Sequence, residues 1–335
     1  MSQTPGAEVS REATLHDVAR HVGVSTRTVS RVVNNEGGFS DATRTRVNDA
    51  IAELGYRPNL LARGLITKRS GTIGLIAGDM TDPFFPEVAD GVQRVARELG
   101  LTMFFASTDG DRAQQRSVLE SMRSHAVDGV LVFPAAGTQD DVIEFAQKGL
   151  RFVTIDEHIV APNIVSVTSD IIGGAELAVR HLHDRGRRRV AMIANADSEK
   201  RWRERGYHTA VDSADATPLI ERTEATTAGG MAAMERLLDG GADIDAVFVY
   251  NDLMALGAMR VLAQRGVRVP DDVAVVGFDN IEVSAVVTPS LTTINLDRMR
   301  LGRQALETLQ VLRSGESTQL APVTLPVELV VRESS

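Results

Sequence analysis

At 335 residues the chain is long enough for two or three domains, and 43% hydrophobic content with only 4% aromatic fits an α/β protein that buries a sizeable core. Zero cysteines exclude disulfides, thiol catalysis and cysteine-based zinc sites. No run approaches the length of a membrane span, and residues 1–12 lack the apolar centre of a signal peptide, so a soluble cytoplasmic protein is expected. The net charge of −9 is uneven: residues 11–70 carry ten Lys/Arg against six Asp/Glu, leaving −13 for the remainder, a basic head on an acidic body.

Residues 14–34 read as two short amphipathic helices joined by a tight turn. Leu15, Val18, Ala19 and Val22 fall at i, i+3, i+4 and i+7 and make one apolar stripe; Val29, Val32 and Val33 make a second. Gly23 permits the positive φ that ends the first helix, and Ser25 is placed to cap the next. On the opposite face of the second helix, Thr26, Arg27, Ser30, Arg31 and Asn34 carry donors suited to phosphates and base edges, as in the recognition helix of a helix-turn-helix. Two such helices around a glycine also occur in many all-helical domains, so the next segment matters. Ser40-Asp41-Ala42-Thr43 opens a third helix with Val47, Ala50, Ile51 and Leu54 again in helical register, which gives the three a small common core, and Gly55 to Asn59 stops it. Residues 59–70 then allow one or two helical turns with Leu61 and Leu65 on one face. So short a helix is marginal in water, and Gly64 weakens it by roughly 1 kcal/mol relative to alanine. The segment reads as a plain linker or as a conditional helix, ordered when something holds it.

From Thr72 strands and helices alternate. Ile73 to Ala77, Thr102 to Ala106, Val130 to Phe133 and Phe152 to Ile155 are short apolar runs expected as buried parallel strands, with helices over 85–99 and 112–124 between them. A second series follows at Val190 to Ile193, Ala246 to Val249 and Val273 to Val276, with helices around 174–184, 203–213, 228–238 and 253–264. Two consecutive doubly wound α/β units result. Ligands bind such sheets beyond the carboxyl ends of the strands, so two facing units predict a cleft between them.

Over nearly its whole length the chain resembles the lactose-repressor (LacI/GalR) family of bacterial transcription regulators. The signatures are Leu15 to Asn34, Gly55-Tyr56-Arg57-Pro58-Asn59, Tyr250-Asn251-Asp252-Leu253-Met254-Ala255-Leu256-Gly257, Val276-Gly277-Phe278-Asp279-Asn280 and Pro289-Ser290-Leu291-Thr292-Thr293-Ile294, in that order and spacing. The resemblance implies a three-helix helix-turn-helix headpiece over 12–57 and a hinge helix with linker over 58–71. Residues 72–335 would form a periplasmic-binding-protein-like body of two doubly wound parallel-sheet subdomains, one about 72–168 and 298–322, the other about 169–297 and 323–335. It further implies a homodimer whose headpieces read the half-sites of a pseudopalindromic operator DNA, with paired hinge helices inserting leucines into the minor groove. Thr26 and Arg27 match the positions that choose bases and Arg31 a further base contact; arginine can meet guanine O6 and N7 bidentately, which neither threonine nor lysine does with equal geometry. Ser25, Ser30, Asn34 and Thr43 look like phosphate clamps, local capping being the plainer role, and for Ser25 the two hold together. Leu15, His16, Tyr56, Asn59 and Ala62 complete the implied DNA-facing set, and Leu65 matches the wedge leucine of the hinge. Gly64 departs from the polar residue more often seen there and makes hinge folding costlier.

The same resemblance places a small-molecule effector between the two subdomains. Asp79, Asp82 and Phe84 lie in the matching loop after the first strand; Asp82 stands where asparagine is common, Phe84 is expected to stack on a sugar or base face and Phe85 to be core. Arg203 matches the arginine that grips ligand, with Asn251 and Asp279 completing the set. Asp109, Asp156 and Asp170 also follow apparent strands, and His158 and Trp202 are candidates for selectivity. Asp279 can accept two hydroxyl hydrogen bonds and Arg203 can donate several, which suits a polyhydroxylated ligand. Asp82 and Asp279 together disfavour a strongly anionic one unless Arg203 offsets them. A sugar or sugar derivative is therefore expected, with a purine or a phosphorylated carrier protein as the alternatives within the family. A ligand that binds open and closed clefts differently would shift DNA affinity. No cofactor or metal is implied. No heptad-patterned tail follows Arg332, so a dimer is expected rather than a tetramer. A transport solute-binding protein would share the two-lobed body but not the headpiece. An enzyme is disfavoured because the chain has no Gly-x-Gly-x-x-Gly at a strand–helix junction, no P-loop and no His-Glu-x-x-His.

Overall fold

Each helix of the headpiece begins where a hydroxyl side chain takes up a backbone donor that the first turn leaves unpaired. Thr14 caps α1 (Leu15–Val22) in a reciprocal box with Asp17, Ser25 caps α2 (Thr26–Val33) by accepting from Thr28 N, and Ser40 caps α3 (Asp41–Leu54) by accepting from Thr43 N. Gly23 and Gly55 end α1 and α3 at φ 72° and 64°. Val18, Ala19, Val22, Val29, Val32, Val47 and Ala50 form the buried core, edged by Leu15, Val33, Ile51, Leu54 and Tyr56. The predicted stripes meet as expected. Replacing Ser25 by alanine removes one cap, and we expect the headpiece to lose about 1 kcal/mol, read as a lower denaturant midpoint by helical circular dichroism.

The computed structural model describes residues 13–34, 36–56, 69–196, 201–315 and 320–335. The headpiece belongs to a unit over 1–70 and the body to a second over 71–335. Asn59, Ala62 and Leu65, and with them the expected hinge helix, lie outside the described residues.

The body runs β1 (Thr72–Ala77), α4 (Phe84–Glu98), β2 (Thr102–Ser107), α5 (Arg112–Ser124), β3 (Val130–Val132), α6 (Gln139–Gln147), β4 (Phe152–Ile155) and β5 (Ile164–Ser169). It continues with α7 (Ile171–Asp184), β6 (Val190–Asn195), α8 (Trp202–Ser213), β7 (Leu219–Thr223), α9 (Thr227–Asp239), β8 (Ala246–Val249), α10 (Asp252–Gln264), β9 (Ala274–Asp279) and β10 (Thr292–Asn295). Then come α11 (Arg298–Ser314), β11 (Val323–Leu325) and β12 (Glu328–Val330). The first sheet has the order β11-β5-β4-β3-β1-β2 and the second β12-β10-β9-β8-β6-β7. The two lobes therefore repeat one doubly wound plan, 2-1-3-4-5 with an added edge strand, whose strand order reverses beside its first strand. All pairings are parallel except β10 with β12, which is antiparallel.

The chain passes between lobes at Asp170, between Asn295 and Arg298, and between Leu325 and Glu328. The expected boundary placed 323–335 in the second lobe. In fact Val323–Leu325 pairs with Val167–Ser169 in the first sheet, and the crossing comes only after it. Strand β2, expected as buried, is the edge of its sheet: it has β1 as its sole neighbour, and Phe104 and Phe105 are 42% and 40% exposed.

Helix pairs in both lobes pack backbone against backbone. A Cβ on Gly91 would lie 2.3 Å from the Met299 carbonyl oxygen and one on Gly302 2.1 Å from that of Val88, which locks α4 on α11. Gly230 and Gly257 do the same for α9 and α10, each at 2.1 Å from a carbonyl of the facing helix.

Candidate functional site

Segments that follow β1, β3 and β4 in the first lobe and β6, β8 and β9 in the second meet at one cavity of about 300 Å³. That is where doubly wound sheets hold ligands. From the predicted set, Asp82, Phe84, Asp156, Arg203, Asn251 and Asp279 all line it, as does Trp202. Asp79 and Asp109 do not. Asp79 is turned back on its own loop, accepting from Thr81 N at 2.8 Å and Thr81 Oγ1 at 2.7 Å, bonds that hold its carboxyl below the ordinary range. Asp109 accepts from Ser107 Oγ at 2.8 Å. Asp170 caps α7 through Gly173 N, and His158 lines a smaller neighbouring cavity that shares Asp156 and Trp202.

Arg203, in the first turn of α8, is the centre of the arrangement. Its Nη2 donates to Asp279 Oδ1 at 3.1 Å, and its guanidinium lies between the rings of Tyr250 and Phe278, 4.3 Å and 4.1 Å from their centroids. Its buried Nε has no partner. Two aromatic faces and a carboxylate thus hold one planar cation in a fixed plane. Asp279 ends β9 at φ 105°, a conformation that L-residues rarely adopt, and is 5% exposed. Asn251 caps α10 by accepting from Met254 N at 2.9 Å.

Phe84, Phe85 and Phe133 pack edge to face with centroids 5.0–5.8 Å apart and form the aromatic wall. The expected division between the first two is reversed in degree: Phe84 is 8% exposed and belongs to the core, while Phe85 is half-buried, although both touch the cavity. Phe133, Gln139, Glu157 and Tyr250 are lining residues that the sequence reading did not single out. Phe133 ends a predicted strand run and Tyr250 precedes Asn251, so position at a strand's carboxyl end was the available signal.

Burial is the main influence on the cleft acids. It raises Asp82, raises Asp156 to about 6 against the pull of the Ser169 N–H and Arg203, and drives Asp279 well above the carboxylate range despite the adjacent guanidinium. Each keeps its proton to a higher pH in the folded state than an unfolded aspartate does, near 3.9. Stability from these groups is therefore full below about pH 4 and lost as pH rises through each raised pKa, about 6 for Asp156. We expect the ligand-free midpoint of thermal unfolding to fall between pH 5 and pH 7, and Asp156→Asn to flatten part of that fall. A wild-type midpoint that rises over the interval would contradict the sign.

The second crossing carries a bridge between the lobes. Arg298, 6% exposed at the start of α11, donates from Nε to Glu87 of α4 at 2.8 Å and from Nη2 to the Asn280 carbonyl at 2.9 Å, so one side chain bonds both lobes. It was not among the sequence candidates.

In the headpiece, Thr26 and Arg27 stand exposed in the first turn of α2, next to the exposed Ser25 cap, and His16 is exposed on α1. Ser30, Arg31 and Asn34 are half-buried: Asn34 Nδ2 donates to Ser30 Oγ at 3.3 Å, and Arg31 donates to the Gly37 carbonyl. Thr43 Oγ1 bonds Ser40 Oγ at 3.0 Å. Leu15 and Tyr56 pack against the headpiece core, and burial raises the Tyr56 phenol.

A helix-turn-helix unit followed by a two-lobed body with a polar cleft defines a DNA-binding regulator with a built-in sensor. The chain matches the family model for bacterial regulatory proteins of the lacI family over residues 14–59 and that for the periplasmic binding protein-like domain over residues 179–335. It is 33% identical to the HTH-type transcriptional regulator DegA of Bacillus subtilis over 97% of this chain and 98% of that one. It is 34% identical to the ribose operon repressor of Halalkalibacterium halodurans, covering 96% of this chain and 97% of that protein. The crystal structure of the lac repressor dimer bound to operator and the anti-inducer ONPF superposes with a TM-score of 0.86 at 29% identity, covering 97% of this chain and 99% of that chain. The chain belongs to the LacI family: it is a DNA-binding transcriptional regulator and not an enzyme. Among the described residues no helix is long and apolar enough to cross a membrane.

Proposed function

We propose that this regulator is a cytoplasmic repressor that binds a pseudopalindromic operator as a homodimer and responds to a sugar or sugar derivative held in the cleft. The observation that carries the ligand class is the stacked Arg203–Asp279 pair at the cavity wall: a multiple donor and a multiple acceptor beside aromatic rings, the combination that orients a polyhydroxylated ring. Asp82, Phe84, Asp156, Asn251 and Asp279 act with Arg203 as the ligand contacts. The ribose operon repressor among the relatives agrees with this class. On the DNA side, Thr26 and Arg27 choose bases, Arg31 adds a base contact once released from Gly37, and Ser25, Ser30, Asn34 and Thr43 contact phosphates.

The test has two arms on the full-length protein. A thermal-shift screen of sugars and purines identifies the ligand, since a ligand present at 100 times its Kd adds about 2.7 kcal/mol by mass action. Fluorescence anisotropy with duplexes selected from near-palindromic sequences then measures binding with and without that ligand, and affinity should fall steeply with salt. Arg27→Ala should cost about 1–3 kcal/mol on the selected operator and little on random duplex. If only purines stabilise the protein, the carbohydrate assignment fails and the regulator assignment stands.

A further inference from the structure

The cleft gathers more carboxyl groups than cations among the described residues. Among the described residues its lining brings Asp82, Asp156, Glu157 and Asp279 together with one cation, Arg203, while Arg298 acts on Asp82 and Asp279 from outside the lining. That guanidinium is already committed, bonded to Asp279 and stacked between Tyr250 and Phe278. Asp82 accepts from Phe84 N at 2.9 Å and Asp156 from Ser169 N at 3.1 Å, and neither forms an ion pair among the described residues. A partly desolvated carboxylate that lacks a direct ion pair gains from a second positive charge beside it, and a ligand cation can supply one. Phe84, Phe85, Phe133 and Trp202 also line the cavity, and aromatic faces attract cations as well as sugar rings.

We propose that the effector is a polyhydroxylated amine, its ammonium group serving as counter-ion to Asp82 and Asp156 while its hydroxyls meet Arg203, Asn251 and Asp279. This rests on the reading of the cleft as a carbohydrate site and names the chemistry of its ligand. Burial holds both carboxyls above their ordinary range, and an ammonium group would draw them back to the ionised form.

Trp202, the sole tryptophan of the chain, lines the cavity and reports binding by its fluorescence. Titrations of the full-length protein near pH 6.5 would use glucosamine, galactosamine and mannosamine, each beside its neutral parent and its N-acetyl derivative. The expected result is that at least one amine binds tenfold or more tightly than its neutral parent. Its N-acetyl form, which keeps the nitrogen and loses the charge, should lose that advantage. Asp82→Asn and Asp156→Asn should each shrink the ratio of amine to parent affinity, whatever they cost the binding of the parent itself. Neutral parents that bind as well as their amines, or a preference that survives both substitutions, overturn the ammonium assignment and leave the carbohydrate site in place. Purines binding where all nine sugars fail overturn both.

Discussion

Arg203→Met is expected to weaken cleft ligand binding at least about 100-fold, or about 2.7 kcal/mol, and to leave operator affinity unresponsive to ligand concentrations that act on the wild type. The substitution keeps an unbranched side chain in the slot between Tyr250 and Phe278 but removes the donor 3.1 Å from Asp279 and the charge facing it. Asp279, already held above the usual carboxylate range by burial, then keeps its proton more firmly and loses acceptor strength. Fold stability should suffer less than affinity, because protonation spares the protein an unpaired buried anion. Arg203→Lys restores charge without the planar stack and should recover only part of the binding. Asp279→Asn tests the pair from the other side: if Arg203 and Asp279 act on ligand as one unit, the double substitution costs far less than the two single losses combined. Isothermal titration of the ligand found by screening measures all four proteins, and a loss below about fivefold for Arg203→Met would remove this residue from the site.

Local chemistry was legible in the sequence and non-local chemistry was not. The headpiece could be drawn from the chain because its stripes, caps and glycine stops all act within one or two turns; Ser25, Gly23 and Val29 do what their neighbours imply. Arg203 and Asp279 were recognisable from the motifs around them, yet the aromatic sandwich was not, since Phe278 and Tyr250 reach Arg203 only through the folding of three separate strand ends. Arg298 was silent for the same reason: its partners Glu87 and Asn280 lie in different lobes and meet where the chain recrosses. Strand β7 escaped because Leu219–Thr223 is a half-exposed edge with no apolar run, and β11 and β12 because three residues carry no period. Phe104 and Phe105 misled in the opposite direction, being an apolar run at an exposed edge.

Gly302→Val is expected to destabilise the body by more than about 3 kcal/mol, the upper part of the range for overpacking. A Cβ there would stand 2.1 Å from the Val88 carbonyl oxygen and 2.9 Å from Val92 N, and backbone atoms cannot swing aside as a flexible side chain would. The helices must separate, which strips Leu301, Ala305 and Leu309 of α11 from the core they share with Val88 and Val92. At about 2 °C per kcal/mol for a unit of this size, the midpoint falls by about 6 °C or more, with Gly302→Ala intermediate. Gly37→Ala, whose added methyl meets open space at an ordinary φ, should leave the headpiece unchanged. A shift under about 2 °C for Gly302→Val would show that α4 and α11 slide freely. That result would matter for switching as well as stability. Arg298 begins α11 and Glu87 lies in the first turn of α4, so the glycine lock makes the two helices move as one body with the bridge that reaches Asn280 beside Asp279. A first lobe that is rigid in this way can pass a change at the cleft on as a rotation; one that slides would absorb it.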